Sequence, residues 1–108
     1  MLTKLKGYRV ERKIRLLFQK FGWTVLRAGA SLGEADLICL KDKKCILLQI
    51  KSTKKKNFYY YGYSKNDFQG FPFFLVVDFG YNKVRVLEPI KRIAPTDGQP
   101  IDEFLKIY

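Results

Sequence analysis

Apolar positions change their period along this chain, and the changes mark the elements. Over residues 6–21 they recur every three or four positions, at Val10, Ile14, Leu17, Phe18 and Phe21. Arg9, Arg12, Lys13, Arg15 and Lys20 fill the intervening positions, which predicts one amphipathic helix ended by Gly22. Residues 23–27 are rich in β-formers and read as a strand. Ala28-Gly29-Ala30-Ser31-Leu32-Gly33 follows, a small-residue loop where backbone can approach a ligand closely. Two apolar runs, 36–40 and 45–50, then flank the polar turn Lys41-Asp42-Lys43-Lys44 and predict a β-hairpin.

Whether the loop is Asp42-Lys43 or the four residues 41–44, paired residue numbers sum to 85. Asp36 then faces Gln49, and Lys51 points the same way as Gln49. Leu37, Cys39, Ile46, Leu48 and Ile50 share the opposite face. One end of one sheet face thus gathers a carboxylate, an amide oxygen and an ammonium.

Beyond the hairpin, Ser52-Thr53-Lys54-Lys55-Lys56-Asn57 forms a basic run, followed by Phe58-Tyr59-Tyr60-Tyr61-Gly62-Tyr63. Lysines beside aromatics suit strand backbones and unpaired bases; an aromatic edge strand behind a solvated turn accounts for the run equally well. Residues 64–70 fit a single helical turn capped by Ser64. Residues 73–79 read as a buried strand, Tyr81-Asn82 as a turn, and 83–87 as a partly exposed strand. Pro89 and Pro95 punctuate a loop, and 100–107 close the chain as a short helix packed through Ile101, Phe104 and Leu105. The order helix, three strands, short helix, two strands, helix predicts an α/β layer structure in one domain, residues 1–108.

Composition narrows the partners. Lys plus Arg number 21 against 10 acids, a formal charge of +11. That excess favours a polyanion, most often nucleic acid, over a merely solvated basic surface. The chain has no histidine, and Cys39 and Cys45 lack C-x-x-C spacing, which speaks against zinc. Two thiols suit a reducing interior. The N-terminus is too charged for a signal peptide, and no apolar run reaches membrane-spanning length. An intracellular, cytoplasmic and nucleoid-associated protein with no membrane contact is expected.

Phosphodiester hydrolysis needs an activated water and neutralised phosphate charge, and magnesium held by oxygen ligands supplies both. Asp36 suits the central ligand, with the Gln49 side-chain oxygen and the Ile50 carbonyl completing a hard site. Lys51 is placed to orient water or stabilise developing charge. Glu11, and after it Glu34, would add oxygens directly or through water. The plain alternative for Glu11 is an ion pair with Arg15 one turn on, worth ~0.3–0.5 kcal/mol.

Glu11, Asp36 and the Gln49-Ile50-Lys51 triplet resemble the PD-(D/E)XK nuclease superfamily, and the chain is most similar to archaeal Holliday junction resolvases. The likeness runs through GYRVERKI, VLRAGAS, ADLICL, LLQIKST, FPFFLVVDFG, VRVLEP and PIDEFLKI, nearly the whole chain. It implies a restriction-endonuclease-like α/β fold, a central mixed five-stranded sheet flanked by helices. It further implies Glu11, Asp36 and Lys51 as catalytic residues with Gln49 in a metal-ligand position. Ser31 is then expected near the scissile phosphate, with Arg12 and Arg27 on DNA. Arg9, Lys13, Ser52, Lys54, Lys55 and Lys56 extend that surface. Such resolvases act as homodimers on four-way DNA junctions, nicking two opposed strands with Mg2+ or Mn2+.

Two departures bear on this. Gln49 stands where glutamate is usual, and an uncharged amide oxygen should bind a hard cation less tightly. Q-x-K variants occur among Mrr-like enzymes and in an intron-encoded cyanobacterial homing endonuclease, so a site-specific duplex endonuclease is the alternative. The segment between the x-K strand and Phe73 is also short, where resolvases carry a longer helix contributing to the dimer face. A third reading is a DNA-binding protein that no longer cleaves.

Overall fold

In the computed structural model, which describes residues 2–29, 35–61 and 69–108, the opening stripe forms helix α1 (Leu2–Lys20). Val10, Ile14 and Phe18 bury its apolar side. The helix ends where Gly22 takes φ +92°, and the N–H groups of Phe21, Gly22 and Trp23 close back onto the carbonyls of Phe18 and Gln19. Next come β1 (Thr24–Arg27), β2 (Leu37–Lys41) and β3 (Lys44–Ser52). Further on lie β4 (Phe58–Tyr59), β5 (Phe73–Asp78), β6 (Val84–Leu87), β7 (Arg92–Ile93), β8 (Gln99–Pro100) and α2 (Ile101–Ile107).

The main sheet has six strands in the order β1-β2-β3-β5-β6-β8, and β4 and β7 pair separately. The expected five strands are all present, and the sixth is β8, whose two residues pair with Arg85 and Val86. Neither β8 nor the β4–β7 pair is long enough to show a period of two in the sequence. β3 and β5 run parallel; the other pairings in the main sheet are antiparallel. The helical turn expected at 64–70 lies mostly outside the described residues.

Asp42 and Lys43 both adopt left-handed backbone, φ 49° and 67°. Two such residues make the tight hairpin turn whose twist matches its strands. Pairs from Leu37–Leu48 to Lys41–Lys44 follow, in the register expected from the pattern.

One sheet face carries Leu37, Cys39, Ile46, Leu48, Val76, Val84 and Val86, covered by Ile14 and Phe18 of α1 and by Ile101, Phe104 and Leu105 of α2. The other face is covered differently. Leu75, Val77 and Leu87 pack beneath Tyr60 and Ile93, from the small sheet and the residue after it. Alternation along each strand produces this two-sided division. Topology then decides where chemistry can sit. The ends of β1, β3 and β5 and the start of β2 meet at one edge, beside the middle of α1.

Candidate active site

Asp36 enters just ahead of β2, where the hairpin ladder changes. Its N–H donates to the Leu48 carbonyl at 2.7 Å, although Leu48 is the partner of Leu37. Two residues of one arm thus face one of the other, a bulge-like step that re-aims a side chain. The simple pairing of Asp36 with Gln49 is corrected by that step. Its consequence is a close contact all the same: Asp36 Oδ2 accepts from the Ile50 N–H at 2.8 Å and from Gln49 Nε2 at 3.2 Å.

Gln49 is buried, 5% exposed, and its Oε1 has no hydrogen-bond partner among the described residues. Leaving such an oxygen unsatisfied costs about 1–3 kcal/mol. An amide that touches a carboxylate through its nitrogen and keeps a buried oxygen in reserve has the donor chemistry of a hard divalent cation site, which takes oxygen ligands of both kinds. Among the described residues no three His, Cys, Asp or Glu side chains converge, so such a site would depend on the amide and on backbone oxygens.

Glu11 projects from α1 and its Oε1 accepts from Arg27 Nε at 2.9 Å. The partner is therefore Arg27 at the end of β1, not Arg15, whose Nε is buried without a partner among the described residues. Glu11, Arg27, Ala28, Gly29 and Asp36 line one open cleft of about 500 Å³. Lys51, half-buried, follows Gln49 by two positions on β3 and so shares its face.

The structure thus gathers Glu11, Arg27, Asp36, Gln49 and the backbone of Ile50. It separates others. Arg9 and Arg12 are exposed on α1, while Lys13 is held by Asp78 Oδ2 at 2.9 Å. Ser52 and Lys54 line a second cleft of about 380 Å³ with Val10, Thr53, Asp78 and Tyr81. Lys55 and Lys56 are exposed beyond it, and Ser31 and Glu34 lie outside the described residues.

Asp78 was not expected at this edge, and the signal available was an acid closing an otherwise apolar strand. Cys39 stays out of the chemistry. Burial, and secondarily the neighbouring Cys45, push its thiol up to about 12, so it remains protonated and is no ligand.

The mixed sheet thus brings an acid, an x-Lys strand end and a helix glutamate toward one edge. Residues 2–92 match the archaeal Holliday junction resolvase (Hjc) family, and the chain belongs to it. No curated protein matches. Among solved structures, the Holliday junction resolvase Hjc of the archaeal hyperthermophile Archaeoglobus fulgidus superposes with a TM-score of 0.71 at 16% identity. That match covers 94% of this chain and 96% of the other. The bacterial homing endonuclease I-Ssp6803I superposes with a TM-score of 0.61 at 23% identity, over 84% of this chain and 72% of that one. At these identities the likeness is one of fold. Among the described residues no helix is long and apolar enough to cross a membrane.

Proposed function

We propose that residues 1–108 form a single nuclease domain that hydrolyses phosphodiesters in branched DNA, a Holliday junction resolvase working as a homodimer with Mg2+ or Mn2+. The observation that carries this reading is Gln49, whose Nε2 donates to the Asp36 carboxylate while its buried Oε1 has no partner among the described residues, in a chain of the resolvase family. Asp36, Gln49 Oε1 and the Ile50 carbonyl would hold the metal, with Glu11 reaching it through water. The bound metal supplies an activated water and neutralises phosphate charge.

The chain's own groups do the rest. Asp36 is held in place by the Ile50 N–H and the Gln49 amide, which fixes the carboxylate before any ligand arrives. Arg27 anchors Glu11 at the cleft wall. Lys51 stabilises negative charge that develops on the phosphate. Arg9, Arg12 and the lysines at 54–56 contact the DNA backbone, so binding weakens steeply with salt. Free Cys39 and Cys45 suit work inside a reducing cell.

The test is direct. A labelled four-way junction and a linear duplex of the same sequence are incubated with Mg2+, with Mn2+ and with chelator. The junction is cut on two opposed strands in either metal, and nothing is cut in chelator. Cleavage of the duplex at one site with the junction spared would instead make this a homing-type endonuclease. Salt-sensitive binding without cleavage in either metal would leave only a DNA-binding protein.

A further inference from the structure

The small sheet β4–β7 lies on the same side of the main sheet as Gln49 and Lys51. In the parallel register Gln49 stands beside Leu75 and Lys51 beside Val77, and neighbouring residues of paired strands project to one face. Leu75 and Val77 pack with Phe58, Tyr60 and Ile93. The strip of sheet next to the candidate site is therefore roofed by the aromatic segment.

That segment alternates sharply. Tyr60 is buried at 4%, whereas Tyr59 and Tyr61 on either side of it are 50% and 71% exposed. Their two rings are nearly parallel, 15° apart in orientation, with centroids separated by 6.4 Å. The backbone beneath is tied down: Tyr60 N–H donates to the Lys91 carbonyl at 2.8 Å, and Tyr59 pairs with Arg92. Lys54, Lys55, Lys56, Lys91 and Arg92 are all exposed on the flanking segments.

A single exposed tyrosine needs no explanation. Two parallel rings on an anchored strand, with cations on both sides, have the make-up of a surface that stacks bases and tracks a phosphate backbone. We propose that Tyr59 and Tyr61 are a stacking platform for unpaired nucleobases, with the surrounding lysines and Arg92 on the adjoining phosphates. Bases released from pairing near a branch would be held beside the cleavage site, and fully paired duplex would gain nothing from the rings. The inference takes from the proposed function only that the ligand is DNA.

The experiment separates the two. Anisotropy titrations in chelator compare a labelled oligothymidylate with an abasic oligonucleotide of equal length and charge, for wild type, Y59A/Y61A and Y59F/Y61F. Wild type prefers the base-bearing strand by about tenfold. The alanine pair loses that preference, the phenylalanine pair keeps it, and abasic binding is alike in all three. If the alanine pair retains the wild-type preference while wild type still cuts junctions, the platform is wrong and the nuclease reading stands. If the preference behaves as expected but no DNA is cut in metal, the platform stands alone. A shift of the alanine pair from dimer to monomer in sedimentation would overturn the proposal, because the rings would then cover a second copy of the chain.

Discussion

Asp36 and Asp78 lie at the same edge of the sheet and are used in opposite ways. Asp78 closes β5 almost out of water, and both its oxygens are taken: Oδ2 by Lys13 Nζ at 2.9 Å and Oδ1 by the Gly80 N–H at 2.8 Å. It binds α1 to β5 and shapes the turn that follows, where Tyr81 and Asn82 take φ 52° and 62°. Asp36 accepts from Ile50 and Gln49, yet the partner amide is left with a buried oxygen that nothing in the described residues satisfies. A buried carboxylate fully paired within the fold is a structural tie. Asp36 instead stands half-buried at an open cleft, next to an amide whose oxygen lacks a partner among the described residues, and that amide leaves capacity for a ligand.

Substitutions can break or sharpen that contrast. The largest effect is expected from Asp36→Asn, which should lower junction cleavage by at least about a hundredfold while DNA binding is kept or tightened, since a negative charge near phosphate is lost. Wild-type cutting rates in this variant would remove Asp36 from the site. Asp78→Ala should act on stability instead. With the Lys13 side chain 44% exposed and free to hydrate, the loss should be about 2 kcal/mol. A urea unfolding curve measures it, and cleavage per folded molecule should stay unchanged.

Gln49→Glu sharpens the comparison from the other direction. A second carboxylate beside Asp36 should repel it without metal, so the apo protein melts lower and magnesium restores more stability than in wild type. Half-maximal cleavage should need several-fold less magnesium, by roughly a factor of three. Complete inactivity would assign the amide some other duty. The smallest effect belongs to Arg27→Ala. Its side chain is 60% exposed, so breaking the Glu11 pair should cost under about 0.5 kcal/mol in a denaturant titration.

The contrast was only half legible beforehand. Asp36 and Gln49 come together within one hairpin, with Lys51 following on the face of Gln49, and residues that close in sequence are placed by local pairing. Lys13 and Asp78 are 65 positions apart, and no local pattern links them. Glu11 illustrates the same limit. Arg15, one helical turn away, is its nearest basic neighbour on that face, but chain reversal between α1 and β1, at Gly22, brings Arg27 closer. In sequence the aromatic segment fits an edge strand and a base contact equally well, and the parallel ring pair depends on β7 fixing β4.

By itself the amino-acid order determined the helix stripe, the hairpin register and the side of the sheet each apolar residue faces. Those follow from two short periods, 3.6 and 2, which any few consecutive residues express. Tertiary structure alone decided the bulge at Asp36, the Gln49 oxygen left without a partner among the described residues, the partners of Glu11 and Asp78, and the roofing of β5 by the small sheet. Each of these depends on which distant segments meet, and a charge or a lone pair is satisfied by whatever arrives within about 3 Å, whatever its distance along the chain.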